Sequence, residues 1–193
     1  MLSLSHTKLK KKPRVISEVL EKLEKTIQAI KNIRRQAHIL NWLYDFSGYL
    51  QFELKFDPKR LKKYEPGDII DVDFGFNVGA ELGGRHYAVV VEDNARSDGT
   101  IMVIPLSSYK SPRKVHSSEV DLGVIPELNQ HRGNTELLGT KAKISHLRSI
   151  SKMRIYYPRK KDEFIYRLTD GQLKKIYDVI QRRFCSRFAG KKG

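Results

Sequence analysis

Tyr64-Glu-Pro-Gly-Asp-Ile-Ile-Asp-Val-Asp-Phe74 is the point at which the hydrophobic period of the chain changes from helical to two. The Pro-Gly pair ends the preceding segment, and beyond it Ile70, Val72 and Phe74 alternate with two aspartates. Alternation of apolar and polar residues is typical of a strand with one buried face. The sequence therefore predicts that a β-structure begins here, with its first strand over residues 68–74.

Several more strands are predicted downstream of this one. Residues 86–92 form a continuous apolar run that is typical of a central strand, and residues 100–106 form another strand after a turn-rich segment. Further strands are predicted over residues 115–121, 137–144 and 147–150. Closely spaced strands with turns between them favour a small barrel or a sandwich.

Helical segments flank the strands on both sides. The N-terminal segment, to about residue 52, is predicted to form one long helix or two, and Thr169 and Asp170 cap a C-terminal helix. The N-terminal apolar stripe comprises Ile16, Leu20, Leu23, Ile27 and Ile30, and the C-terminal stripe comprises Leu173, Ile176, Tyr177, Ile180 and Phe184. We expect the N-terminal stripe to pack on the strand domain, because it keeps its spacing for only about two heptads.

The charge of the chain is concentrated in these flanks. The 193 residues carry a formal net charge of +15, of which residues 1–66 contribute +8, residues 67–157 contribute zero and residues 158–193 contribute +7. Residues 8–14 form a basic arm without an acid. An excess of positive charge predicts an anionic partner.

Composition excludes several classes of protein. The longest apolar run, residues 87–91, is too short to span a membrane, and no secretory signal is supported. The single cysteine, Cys185, excludes an internal disulfide framework and a cysteine-based zinc site. The six histidines lack metal-ligand spacing, so no metal or other cofactor is expected. We therefore expect a cytoplasmic protein.

Ordered motifs between residues 64 and 184 resemble the PemK/MazF family of type II toxin-antitoxin toxins. The resemblance is carried by residues 64–74, by Val78-Gly-Ala-Glu-Leu-Gly-Gly-Arg-His-Tyr-Ala-Val-Val-Val91 and by Ile104-Pro-Leu-Ser107. It continues at Ser145-His-Leu-Arg-Ser-Ile-Ser151 and in the terminal helix from Thr169. The first 60 residues have no counterpart in this pattern.

The resemblance implies an α+β fold with a small SH3-like β-barrel of the PemK/CcdB type. A domain over residues 64–193 would contain the barrel and the C-terminal helix, and residues 1–60 would form a basic arm and helical extension. The family implies a metal-independent endoribonuclease that attacks the neighbouring phosphate with a ribose 2′-OH and leaves a 2′,3′-cyclic phosphate. It also implies RNA as substrate, a cognate antitoxin, a homodimer and DNA binding only through the antitoxin complex.

Site residues follow from the resemblance position by position. His86 stands where the family has its catalytic arginine, Tyr87 replaces the proline that follows, and Arg85 lies one place earlier. Ser107 matches the catalytic Thr/Ser, so His86, Arg85 and Ser107 are the predicted catalytic residues. Glu81 is predicted to brace the loop. The predicted RNA-binding residues are Ser108, Lys141, Lys143, Ser145, His146 and Arg148.

Simpler interpretations remain open at this point. His86 can merely fill the barrel mouth, and residues 141–154, five cations without an acid, can be a solvated face. Adjacent strand residues point to opposite faces, so Arg85 and His86 can meet one phosphate only if this segment is a loop. A non-catalytic barrel that binds RNA, or that poisons a protein target as gyrase-binding barrels do, is the alternative function.

Overall fold

The computed structural model describes residues 12–110 and 116–185 of the chain. The chain divides into two compact units, and the division falls between Gly48 and Tyr49. Most of the predicted basic arm, and residue 115 of one predicted strand, lie outside the described residues. Among the residues that are described, no helix combines the length and the apolar character needed to cross a membrane.

From residue 12 onward the N-terminal unit consists of two helices, α1 (Lys12–Gln28) and most of α2 (Ile33–Phe52). Asn32 begins the second helix, because its side-chain oxygen accepts a hydrogen bond from the backbone N–H of Arg35 at 3.0 Å. The side-chain amide of Gln36 donates to the carbonyl of Ile27 at 2.8 Å and ties the helices together. The predicted packing of the apolar stripe on the strand domain stays a prediction.

The second unit begins at Tyr49, within α2, earlier than the break before Pro66 that the sequence suggested. The reason is that the end of α2 belongs to the strand domain: the hydroxyl of Tyr49 donates to the Asp73 carboxylate at 3.5 Å. Burial raises the pKa of Tyr49 above its ordinary value, so this hydroxyl keeps its proton.

The described residues of the second unit form seven antiparallel strands, in the order β4-β5-β3-β2-β1-β7, with β6 paired to β3. Two further helices, α3 and α4, accompany them. The elements are β1 (Ile69–Asp73), β2 (Arg85–Val90), β3 (Thr100–Tyr109), β4 (Glu119–Val124), α3 (Pro126–His131), β5 (Gly139–Lys143), β6 (Arg148–Ser151), β7 (Ile155–Tyr157) and α4 (Asp170–Phe184). The α+β fold predicted from the sequence is confirmed.

The sheet buries a different hydrophobic core on each face. Ile69, Val89 and Ile104 belong to one core, and Ile70, Ala88 and Val103 to the other, because successive side chains of a strand point to opposite faces. Helix α4 covers the first core with Ile176 and Val179 and starts at a capping box of Thr169 and Gln172. Its predicted stripe is wrong at the end, since Phe184 is exposed.

The loop between β1 and β2 is held by backbone contacts and by one amide. The side-chain amide of Asn77 donates to the carbonyls of Phe74 and Leu82 at 3.0 and 2.7 Å. The N–H of Gly84 donates to the carbonyl of Gly75 at 2.6 Å, which closes the loop just before β2. A Cβ atom at Gly83 would lie 2.5 Å from the same Gly75 oxygen, so only glycine fits there.

We expect Gly83→Ala to destabilise the domain by about 1–3 kcal/mol, because the backbone of Gly75 must move to admit the methyl group. Urea unfolding measures this cost. Gly99→Ala is the matched control, since a Cβ atom at Gly99 meets nothing within 4 Å. Equal stability of the two variants would show that the loop is looser than its contacts indicate.

Candidate functional site

Arg85 and His86 lie on opposite faces of β2. Arg85 binds both carboxylate oxygens of Asp71, with Nη2 2.6 Å from Oδ2 and Nε 3.0 Å from each oxygen. The Asp71 side chain is 7% exposed, and this bond raises the pKa of Arg85. The prediction that Arg85 joins His86 at a phosphate required a loop here and is not met, since residue 85 already lies within a strand.

His86 is partly buried and has one ring nitrogen engaged. Nε2 lies 3.1 Å from the carbonyl oxygen of Gly83, and because a carbonyl can only accept, Nε2 carries the proton. Burial lowers the pKa of His86, and the positive charges of Lys143 and Arg132 lower it further. His86 is therefore neutral at pH 7, with Nδ1 as its acceptor nitrogen.

Strand register places Ser107 and Lys143 on the same face as His86. Ala88 lies opposite Pro105, and Ser107 lies opposite Lys141, and residues that face each other across a ladder share a face. Side chains two residues apart on a strand point to the same face. His86 is two residues from Ala88, Ser107 is two from Pro105 and Lys143 is two from Lys141, so the three share one face. The Ser107 hydroxyl makes only a long hydrogen bond, 3.5 Å, to the carbonyl of Ser108.

Arg148 adds a second cation near His86, and His146 lies close enough to Lys143 and Arg148 to be affected by both charges. The Phe74 ring lies between His86, at 6.4 Å between ring centroids, and the Arg148 guanidinium carbon, at 5.0 Å from the ring centre. Arg148 also donates to the Leu82 carbonyl at 2.6 Å. Burial, Lys143 and Arg148 lower the pKa of His146. The charge of Lys143 therefore acts on two neutral imidazoles. Such an arrangement can bind an anionic substrate and transfer protons to or from it.

Lys141 belongs to the framework of this face rather than to its surface. Its ammonium nitrogen lies 2.6 Å from Oε1 of Glu119, and the side chains are only 4% and 12% exposed. Residues 141–154 contain no acid in the sequence, but the pairing of β4 with β5 brings one to them. Glu119 on β4 stands opposite Lys143. Burial in an ion pair does not suit the predicted RNA contact of Lys141.

The remaining predicted residues differ in their surroundings. Ser108 and Ser145 are exposed, and strand alternation turns Ser108 to the face opposite that of Ser107. Glu81 is exposed, and none of the hydrogen bonds of the described residues ties its side chain to the loop. Burial lowers the pKa of Arg148, and the negative charge of Glu81 only partly opposes this shift. Asn77 braces the loop instead, a role that the sequence did not indicate.

A second cluster, on the other face of β2, also went unpredicted. Tyr87 and Tyr157 lie on either side of Asp71 in the ladder. His131, at the end of α3, covers this row: Nδ1 lies 2.7 Å from the Tyr87 hydroxyl, and the ring stacks on Tyr157 at 5.1 Å. Arg132 lies over the Tyr87 ring at 5.0 Å. Nothing in the sequence of residues 126–138 indicates this cluster, because the segment is distant from β2 along the chain and only the fold brings the two together.

The site can be compared with known proteins once its geometry is established. A family model described as the PemK-like, MazF-like toxin of type II toxin-antitoxin systems matches residues 65–184. The chain belongs to this family. No curated protein sequence matches the chain significantly. The N-terminal helices lie outside the matched region, and the cationic face of this PemK/MazF-like toxin lies within it.

Solved structures with a similar fold share little sequence with this PemK/MazF-like chain. An endoribonuclease from a mycobacterial species, in complex with its cognate antitoxin, is 15% identical, with a TM-score of 0.43 over 62% of this chain and 92% of that chain. MazF from Deinococcus radiodurans is 16% identical, with a TM-score of 0.43 over 62% of this chain and 94% of that chain.

For this PemK/MazF-like toxin we expect NMR titration to give pKa values below 6.5 for His86 and His146. Lys143→Gln removes a nearby positive charge and is expected to raise both values. Lys174→Gln is the control, because Lys174 pairs with Asp178 on α4. A His86 value above 6.5, or values unaffected by Lys143→Gln, would contradict the electrostatics described here.

Proposed function

We propose that the protein is the toxin of a type II toxin-antitoxin system and acts as a metal-independent endoribonuclease on single-stranded RNA. The observation that carries the proposal is the pair of neutral imidazoles, His86 and His146, beside Lys143 on a face that also presents Arg148. The family of the chain supports the same reaction class.

In the proposed reaction His86 takes the proton of a ribose 2′-OH on Nδ1. The 2′ oxygen attacks the adjacent phosphorus, the bond from phosphorus to the 5′ oxygen breaks, and the leaving oxygen receives a proton. The fraction of His146 that is protonated supplies that proton, so the rate falls as the pH rises above the lowered pKa of His146. The products are a 2′,3′-cyclic phosphate and a 5′-OH, and general acid–base catalysis of this kind contributes about 10²- to 10⁴-fold.

The charge that develops on the phosphate is stabilised by donors on the same face. Lys143 and Arg148 supply positive charge, and the Ser107 hydroxyl donates to a phosphate oxygen. Ser108 and Ser145 are proposed to contact the flanking RNA, since both are exposed. The requirement for a 2′-OH excludes DNA as a substrate.

The proposed partners follow from this function. They are RNA, a cognate antitoxin that covers the cationic face and a second copy of the chain, with DNA bound only through the antitoxin complex. The cytoplasm is the proposed compartment, because RNA is available there.

We expect purified protein to cut a long single-stranded RNA in the presence of EDTA, leaving 2′,3′-cyclic phosphate or 3′-phosphate ends. His86→Ala is expected to slow cleavage about 10²- to 10⁴-fold, and Ser107→Ala about 10²-fold, while RNA binding persists. His116→Ala is the control, because this exposed imidazole is bound to Ser118 and has no place in the reaction. Fragment ends are read by sequencing after end-specific ligation.

Two results would overturn this function. Intact RNA from correctly folded protein over a range of pH and salt would exclude the nuclease. Growth inhibition that survives both His86→Ala and Ser107→Ala would favour a barrel that poisons a protein target.

A further inference from the structure

Arg132, next to the end of α3, is a cation without a counter-charge. Its guanidinium carbon lies 5.0 Å from the centre of the Tyr87 ring, and its Nη1 atom is buried without a hydrogen-bond partner. None of the ion pairs among residues 12–110 and 116–185 includes Arg132. Burial lowers its pKa, which is the sign of a charged form that has lost water.

Asp71, the acid between Tyr87 and Tyr157 in the ladder, does not serve Arg132. Both oxygens of Asp71 are bound by Arg85, so the carboxylate is already neutralised. A desolvated guanidinium with no anion beside it lowers the stability of the fold. Such a group in a native structure calls for an explanation, and a ligand that supplies the missing negative charge is one.

The segment that carries Arg132 is held firmly. Asn129 is buried, and its side-chain amide donates to the carbonyls of Ile125 and Leu138 at 3.2 and 2.8 Å. Its side-chain oxygen accepts from Asn134 at 3.2 Å. Gly133, with φ of +69°, turns the chain directly after Arg132. The cation is therefore positioned before any ligand arrives.

The first half of β2 is open on one side, which brings Arg132 and His86 to a common edge. Strand β2 pairs with β3 only from Ala88 to Val90, whereas it pairs with β1 from Arg85 to Val89. At His86 and Tyr87 the side toward β3 is unpaired, so residues from both faces reach the same edge. Arg132 is close enough to lower the pKa of His86.

We infer that Arg132 binds a backbone phosphate of the RNA, adjacent to the phosphate that lies at His86. The aromatic surroundings favour RNA over an acidic peptide, because His131 is exposed and a base can stack on the ring face that does not contact Tyr157. The inference rests on the proposed function, since that function supplies RNA as the anion.

The test measures binding of a 2′-O-methyl RNA, which this route cannot cleave, to full-length wild type and Arg132→Gln at several salt concentrations. We expect about a tenfold loss of affinity, and a slope of log K against log salt that is shallower by about 0.7. Lys174→Gln, which removes one charge from α4, is expected to change neither. Arg132→Lys is expected to keep the slope and lose affinity only a few-fold, because it keeps the charge without the planar fork.

Thermal unfolding without RNA separates binding from a structural role. Arg132→Gln is expected to melt at the same or a higher temperature than wild type, because it removes a desolvated charge. A lower melting temperature, an affinity unaffected by Arg132→Gln, or a loss no larger than that of Lys174→Gln would overturn the inference. If wild type binds RNA and Arg132 is not involved, the inference fails but the proposed function stands. If wild type binds no RNA, the inference and the proposed function both fail.

Discussion

The alternation of side chains along the first half of β2 is the constraint on which the whole site depends. Pairing with β1 fixes this segment as a strand. The bidentate bond of Arg85 to Asp71 fixes the face of the strand on which the Arg85 side chain lies. His86 must then point to the cationic face, and Tyr87 must point to the aromatic row under His131. Arg85 and Tyr87 therefore lie on one face and His86 on the other, so no single phosphate can meet all three from one face.

Electrostatics then divides the neutral central module into regions of different character. Buried acids are matched by cations in the framework, as Asp71 is by Arg85 and Glu119 by Lys141. The cations left over gather around His86, where repulsion and burial keep the imidazole neutral. The net charge of +15 therefore says less about the site than the pairing of individual charges does. The flanks add long-range attraction for an anionic partner, which salt would screen.

Much of the fold could be predicted from the sequence, because strand alternation and helix caps are local signals. The alternation from Ile70 to Phe74 predicts the first strand, and the apolar run after His86 predicts the central strand. The cap at Thr169 predicts the terminal helix. The site was predictable only in part. The burial of Lys141 depends on an acid from another strand, and Arg132 reaches β2 through a loop with no periodic pattern. Both are contacts between residues distant in sequence, which local patterns do not encode.

The central claim is that an imidazole at position 86 accepts the proton of the 2′-OH. The most direct test is the pH dependence of single-turnover RNA cleavage by wild type and by His86→Arg, which restores the residue type that the family pattern has there. The account predicts a bell-shaped wild-type profile, in which the rate rises with pH as His86 loses its proton and falls again as His146 loses its own. In His86→Arg the rising limb disappears together with most of the rate. An acid limb that is unchanged in His86→Arg would contradict it.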